Sequence, residues 1–367
     1  MKILFIGARL FDDISYYLKE KGIHSILTES NKDAINLDLA DEYYLVSRGM
    51  EEPLKIAIKE NVDAVIPLIG IDIPLLDVAY MKEHLEKKYN IPVISSNVDV
   101  IKISSDKLKT KEFFNKHGIK TPNFKIITKN NINQSFNFPL VLKQFEGQGG
   151  NSIEIANDLK DINNYLDKYG EALCEEFIEG SEISVEVIGF NGDYIALTPI
   201  YKGETTFEGT HPLFKNRSAP FQSEKITNEE IKNNALCIAK KLKSEGITEV
   251  EFILSSDNSK LNALEINSRP NGVRYLTSAS SDVTTLLKLV DMATGDFSTL
   301  KIKNEIKNYF SFEKTVGNFL GPKPNEPLKS FRHNDYIVHG PKGYERVTVR
   351  AKSKESLNKL ISNLKLI

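Results

Sequence analysis

Residues 2–97 alternate short apolar runs with amphipathic ones, and this alternation constrains the fold more than any other feature of the chain. KILFI (2–6) has the composition of a buried strand, and Gly7 follows it. DISYYLKEKG (13–22) then reads as a short amphipathic helix closed by Gly22. HSILTE (24–29), ADEYYLV (40–46) and VDAVIPLI (62–69) are further strands, with EEPLKIAIKENV (51–62) as a helix before the last. Strands separated by helices pair in parallel, because each return passes through the helix. Residues 1–100 are therefore expected to form a Rossmann-like α/β domain. Its first turn holds Gly7 but no G-x-G-x-x-G. Backbone cannot approach a pyrophosphate there as a nicotinamide dinucleotide requires, which argues against a dehydrogenase.

Beyond residue 100 the pattern changes. In SSDKLKTKEFFNKHGIKTP, Ser105 or Asp106 caps a helix that ends at Gly118, with Pro122 beyond. FKIIT, FPLVLKQF, SIEIA, the helix DLKDINNYLDKYG and ALCEEFI make a small α+β unit, about residues 120–178. After Gly180 come EISVEVIGF and NGDYIALTPIY, with a turn at Asn191-Gly192. A polar loop (203–220) follows, then a helix from Asn228 expected to close at Gly246. TEVEFILS and NALEIN are strands joined by SDNSK, and residues 281–295 form another helix. Short strands from Tyr309, VTVRA and a last helix, KESLNKLISNL, complete the chain. The expected division is 1–100, 101–305 and 306–367, in a chain of 367 residues.

Charge and cysteines exclude several functions. The 48 Lys plus Arg nearly balance 50 Asp plus Glu, which argues against binding nucleic acid through bulk charge. The balance is uneven, because residues 301–367 carry 14 Lys plus Arg against 6 Asp plus Glu. The plain reading of that segment is a solvated basic face. Cys174 and Cys237 form no CxxC, which argues against zinc or a disulfide framework. No apolar stretch reaches a membrane span, and MKILFIGARLF lacks a signal peptide's long apolar region. A cytoplasmic location with no membrane or nucleic-acid partner is expected.

Four constellations carry chemistry. Lys143 ends a strand and runs into Glu146-Gly147-Gln148-Gly149-Gly150-Asn151-Ser152. Small residues let backbone N–H groups converge on phosphate while lysine supplies charge, although the same residues would also make an ordinary hairpin turn. Glu251 and Glu265 lie on strands joined by a short turn, with Asn267 two residues further. Two carboxylates and an amide oxygen suit Mg²⁺ and its substrate phosphates. The alternative is a solvated acidic hairpin face, but Glu265 sits between Leu264 and Ile266, where a carboxylate needs a partner. In ALCEEFIEGSE a purine could lie on the apolar residues and a carboxylate accept from ribose hydroxyls, or the segment is simply a strand. In NSRPNGVR, Arg269 and Arg274 are forks for carboxylate or phosphate, with His211, Lys215 and Arg217 as weaker cations.

Taken in order, Asp106-Lys107, Lys143 before its glycine-rich loop, Glu175-Glu176-Phe177-Ile178, Glu182, Glu251 and Glu265-Ile266-Asn267 resemble the ATP-grasp superfamily. The resemblance is to its carboxylate–amine ligase and biotin-carboxylase-like branch and covers essentially the whole chain. It implies an ATP-grasp fold with a small lid subdomain (about 120–178), preceded by the Rossmann-like domain and completed by 306–367. It also implies that Lys107 and Lys143 contact ATP phosphates under a loop of Gly147, Gln148, Gly149 and Gly150. Glu175, Glu176, Phe177 and Ile178 would line the adenine pocket, and Glu182 would hold the ribose. Many relatives carry Lys where this chain has Glu176, but backbone contacts to adenine need no particular side chain. Glu251, Glu265 and Asn267 would bind Mg²⁺, with Mn²⁺ as its substitute. Arg269, Lys143, Arg274 and His211 would form the catalytic set.

The implied reaction is ATP-dependent carboxylate–amine ligation. A carboxylate takes the γ-phosphoryl group, and an amine then displaces phosphate from the acyl phosphate, giving an amide or peptide bond, ADP and phosphate. Cations on the polar loop point to amino-acid-like substrates, and a homodimer is expected from the family. The alternative is a bicarbonate-activating enzyme of the carboxylase type.

Overall fold

The computed structural model describes all residues except 133, 134, 148, 149, 151, 207–214, 258, 323, 325–328 and 367. The chain forms three sheets in succession. The first contains β1 (Lys2–Ile6), β2 (His24–Glu29), β3 (Glu42–Leu45) and β4 (Ala64–Pro67), all parallel, in the order β3-β2-β1-β4. Both faces of β1 are buried, as a central parallel strand requires. Leu4 and Ile6 face Val65, Val78 and Leu85. Ile3 and Phe5 share a cluster with Ile188, Ile247, Leu289 and Val290 from later in the chain. The first sheet thus has no separate core on that face, because its apolar residues are half of a shared one. The helix Leu75–Tyr89, not anticipated above, covers the other face.

The second sheet is small and antiparallel, in the order β5-β8-β6-β7. Its strands are β5 (Phe124–Thr128), β6 (Leu140–Lys143), β7 (Glu154–Ala156) and β8 (Glu171–Glu176). The helix Leu159–Tyr169, capped by the Asp158 side chain, lays Ile162, Tyr165 and Leu166 on Ile127, Leu142 and Cys174.

The third sheet has nine strands. They are β9 (Gly180–Phe190), β10 (Asp193–Ala196), β11 (Ile200–Glu204), β12 (Arg217–Ala219), β13 (Gly246–Ser255), β14 (Leu261–Asn267), β15 (Phe310–Gly317), β16 (Tyr336–His339) and β17 (Glu345–Ala351). The order is β14-β13-β9-β11-β12-β15-β17-β16, with β10 on β9. The helix Asn228–Leu242 starts at a Thr227/Glu230 capping box and packs Ile231, Ala235 and Ile238 on the sheet. It ends earlier than the sequence suggested. Lys243 adopts the left-handed conformation at φ 59° and sends its N–H back to Ala239 and Lys240, while Gly246 opens β13. A lysine does here what was expected of the glycine.

The basic C-terminal segment is not simply solvated. Lys329 pairs with Asp12 and Arg332 with Glu20, so its cations reach the acidic N-terminal domain. Lys307 and Arg350 both meet Asp282. From the other side, Tyr17 donates to Asp291 at 2.6 Å, and Lys21 lies 3.3 Å from the same carboxylate. These ion pairs orient the domains more than they stabilise them, since exposed pairs contribute only ~0–1 kcal/mol each.

One buried carboxyl in β9 makes a pH prediction. Glu186 has no exposure and accepts from Asn271 Nδ2 at 2.8 Å. Burial pushes its pKa up to about 7. The folded protein therefore keeps this proton while the unfolded chain, with an ordinary glutamate, releases it. Stability attributable to this site falls as pH rises through that interval. Glu186→Gln is expected to raise the melting temperature more at pH 8 than at pH 5. Equal shifts at both pH values in thermal unfolding would contradict the assignment.

Candidate functional site

The site forms where the small sheet, the large sheet and one helix N-terminus meet. Asp106, rather than Ser105, caps the helix Lys107–Lys116, accepting from the Lys109 N–H at 3.1 Å. The Lys107 N–H donates to Phe145 O at 2.8 Å, and Lys107 Nζ donates to Gly147 O at 2.6 Å. The glycine-rich turn is thereby tied to a helix N-terminus, which favours anions. Gly147 has φ +113°, a backbone conformation that side-chain-bearing residues rarely adopt. Gly150 is also left-handed, whereas Gln148 and Gly149 lie outside the described residues, as does His211.

Lys143 ends β6 and points at Glu175, with Nζ 3.1 Å from Oε1. Lys111, not singled out above, lies 3.0 Å from the other oxygen. Glu175 and Lys111 are almost fully buried, at 2% and 1% exposure. Burial alone would raise the carboxyl, but Lys143 and Lys111 outweigh it and hold Glu175 below its ordinary value. Burial wins at Lys111, whose pKa is pushed down to about 8 despite Glu175. Lys143 is desolvated too, yet Glu175 and Glu265 keep it above its ordinary value. The Glu175 side chain is thus turned inward and its backbone lies in the ladder between β5 and β6, so it does not present the adenine contact expected of it. Lys111 carried no sequence signal, because one lysine on a helix normally faces solvent.

The chain crosses from the small sheet to the large one at Phe177–Glu179. Glu176 accepts from Asn123 Nδ2 at 2.6 Å, and Ile178 O accepts from Thr205 Oγ1 at 3.0 Å. The Ile178 N–H has no partner among the described residues, so it is free to read the edge of a base. Gly180 is required here, since a Cβ would stand 2.1 Å from Leu254 O. Glu182 meets Lys215 Nζ at 2.8 Å.

The acidic pair is built by register. In the β13–β14 hairpin Glu251 stands opposite Glu265, and Glu249 opposite Asn267. Lys202, in the middle of β11 and also missed in the sequence, lies 2.6 Å from Glu251 and 4.0 Å from Glu249. Burial raises Glu251 above its ordinary value even so. Glu265 takes no hydrogen-bond or ion-pair partner among the described residues. Burial would raise it, but Lys107, Lys143, Lys202 and Arg269 together hold it below its ordinary value. A carboxylate among four cations, with no hydrogen-bond or ion-pair partner among the described residues, is chemically able to ligate a cation. Among the described residues no three His, Cys, Asp or Glu side chains form a metal-holding group. The donor set is two carboxylates and an amide oxygen, which fits Mg²⁺ sharing its shell with substrate phosphates and water.

Both arginines already have carboxylate partners. Arg269 forks onto Asp72, with Nη2 3.1 Å from Oδ2, and also donates to Asn267 Oδ1 at 3.2 Å. Arg274 donates to Asp13 at 3.2 Å, to Asn271 O at 3.0 Å and to the Tyr275 hydroxyl at 2.9 Å. Arg217 is buried against Glu313 at 3.3 Å. The structure therefore gathers Lys107, Lys143, Glu251, Glu265, Asn267 and Arg269 at one place. It sets Arg274 behind them, in contact with the first domain.

The family described as the ATP-grasp domain matches residues 104–273. A carbamoyl-phosphate synthase of Methanobrevibacter smithii is 53% identical over 366 residues, which cover 99% of this chain and 100% of that protein. The carbamoyl phosphate synthase large chain of Clostridium botulinum (strain Langeland) is 27% identical over 76% of this chain, but only 26% of its own length is matched. The chain thus spans about a quarter of such large chains. Among solved structures, biotin carboxylase of Campylobacter jejuni superposes with a TM-score of 0.77 at 19% identity, covering 100% of this chain and 90% of that one. That likeness concerns the fold.

If Glu265 is a metal ligand, Glu265→Gln will weaken Mn²⁺ binding in the presence of ADP by at least the ~10–100-fold that losing a supporting ligand costs. Electron paramagnetic resonance of free Mn²⁺ reads this directly. Unchanged binding, with an unchanged circular dichroism spectrum, would remove Glu265 from the metal set.

Proposed function

This chain belongs to the ATP-grasp family, and we propose that the carboxylate it activates is bicarbonate and the amine it captures is ammonia. The chain is an ATP-dependent, carbon–nitrogen bond-forming ligase working through an acyl phosphate. The observation that carries the choice of substrate is the 53% identity, end to end, with a carbamoyl-phosphate synthase. Among the described residues no helix is long and apolar enough to cross a membrane.

In this reading a bicarbonate oxygen attacks the γ-phosphorus of ATP. The new O–P bond replaces the bond to ADP, giving carboxyphosphate. Ammonia then attacks the carbonyl carbon, phosphate departs and a proton is lost, leaving carbamate. A carbamate oxygen attacks a second γ-phosphorus in the same way, giving carbamoyl phosphate and ADP. Both phosphorylations are the same operation on a planar oxyanion, which one site can perform. Lys143 and Lys107 offset the charge of the phosphates, and Glu175 keeps Lys143 protonated. The Ile178 N–H and neighbouring backbone take the adenine, and Glu182 the ribose. Glu251, Glu265 and Asn267 hold Mg²⁺, which when bound would neutralise charge on the transferred group. Arg269 faces the acyl-phosphate end, positioned by Asp72. The Gly147 turn, closing on Lys107, excludes water that would hydrolyse the intermediate.

A second reading keeps the machinery and changes the carboxylate: an amino-acid-like acid joined to an amine in an amide bond. The same cations would serve it. Mn²⁺ in place of Mg²⁺ and a homodimer are further expectations, read by metal substitution and sedimentation.

The readings separate in one assay. With Mg-ATP, bicarbonate and ammonia, two ADP are expected per carbamoyl phosphate formed, and omitting bicarbonate should abolish turnover. ADP release that ignores bicarbonate but requires an amino acid would favour the second reading and overturn the first.

A further inference from the structure

We propose that Lys111 is a positioning residue for Lys143: through Glu175 it fixes that ammonium relative to the strand that carries Glu265. The proposal rests on the reading of Lys143 as a contact to ATP phosphates, and it is independent of which carboxylate is activated.

Register brings the first two groups together. In the small sheet Val141 of β6 stands opposite Glu175 of β8, and Lys143 stands opposite Leu173. Lys143 is thus the diagonal neighbour of Glu175 on one face, a separation that a long side chain spans. Its Nζ lies 3.1 Å from Glu175 Oε1. Lys111 comes from outside this sheet. It lies one turn after Lys107 in the helix Lys107–Lys116 and reaches the second oxygen, Oε2, at 3.0 Å. Each carboxylate oxygen therefore faces one ammonium.

Lys111 also reaches the large sheet. Its Nζ donates to Thr121 Oγ1 at 2.8 Å, and that hydroxyl donates to Ala263 O at 2.7 Å. The Ala263 N–H donates to Lys120 O at 2.7 Å, so residues 120–121 are fastened to β14 through both backbone groups of Ala263. Ala263 stands two residues before Glu265 in that strand. One ammonium thus joins three parts of the site. They are the helix whose first residue holds the Gly147 turn, the end of β8 just before the chain leaves the small sheet, and the strand of the acidic pair.

Charge and exposure divide the roles. Two ammoniums face one carboxylate, so one positive charge is left over. The Lys111 side chain is 1% exposed and that of Lys143 is 13% exposed. Only Lys143 has an open side on which to present the charge, whereas Lys111 is too enclosed to touch a nucleotide. Without Lys111, a buried carboxylate would have one cation for two oxygens, and Lys143 would turn inward to serve both. The plainer alternative is a buried ion pair that only packs the helix on the sheet. Losing such a pair would lower stability and weaken every part of the nucleotide site alike.

The test uses the full chain: wild type, Lys111→Met, Lys111→Met with Glu175→Gln, and Thr121→Val. Work at pH 7 keeps Lys111 charged, since burial lowers its pKa only to about 8. Calorimetry gives the affinity of the β,γ-imido analogue of ATP with Mg²⁺, and ligand line broadening gives that of adenosine, which has no phosphate. Melting temperatures check folding. Lys111→Met is expected to weaken the analogue ~10-fold or more, the scale of one charge-assisted contact, with adenosine nearly unchanged. Adding Glu175→Gln should restore part of the loss, because an amide no longer draws Lys143 inward. Thr121→Val keeps every charge and cuts only the anchor to β14, so it should give a smaller loss of the same kind. A wild-type ratio of analogue to adenosine affinity in Lys111→Met overturns the role of Lys111 and leaves the ATP reading standing. The same ratio in Thr121→Val decides the matter if Lys111→Met fails to fold. Equal losses for analogue and adenosine overturn it in favour of packing. Wild-type protein that binds the analogue no better than adenosine overturns the reading of Lys143, and this proposal with it.

Discussion

The site depends on buried lysines that stay charged. Lys143 and Lys202 sit where burial favours the neutral amine, yet neighbouring carboxylates keep both above their ordinary values. Glu175 lies between Lys111 and Lys143, and Glu251 against Lys202. Buried ion pairs add little net stability because both partners lose their water. Their effect here is to fix charge in place before any ligand arrives, so that little reorganisation is needed when charge moves. Glu265 is the exception in this network. It is ionised, surrounded by cations and bonded to none of them, and it stands opposite Glu251 in the hairpin.

The second constraint is the joint between the N-terminal domain and the rest. Ile3 and Phe5 pack in the same cluster as Ile188 and Ile247, so the first sheet is held to the large one by apolar burial. Polar contacts then set its orientation: Tyr17 to Asp291, Lys329 to Asp12, Arg332 to Glu20 and Arg269 to Asp72. The Arg269 fork onto Asp72 needs that orientation, because a guanidinium fork tolerates little misplacement. The basic C-terminal segment and the acidic remainder of the chain are in part the two halves of this joint.

Much of this was legible in the chain. The alternation in residues 2–69 marked the four parallel strands, because a buried parallel sheet leaves runs such as KILFI that few other structures produce. The turn SDNSK between two acidic strands marked the hairpin, and its register placed Glu251 opposite Glu265. Other features were not legible for a common reason. The helix Asn228–Leu242 stops at a left-handed Lys243, where glycine is the usual signal. Lys111 and Lys202 look like surface lysines, and only packing shows that their helix face and strand face are covered. The partners of Arg269 and Arg274, Asp72 and Asp13, lie nearly two hundred residues or more away along the chain.

The sequence by itself determined the element types, their order, and the residue types able to hold phosphate and Mg²⁺. These follow from local periodicity, turn chemistry and the donors that each side chain carries. Tertiary structure alone decided which of those charges are neutralised. Glu175 is consumed by two lysines, Arg274 by Asp13 and Arg269 by Asp72, whereas the Glu265 side chain is left without a partner among the described residues. That division depends on distances between elements far apart in the chain, set by how apolar faces pack. No local pattern of residues encodes it.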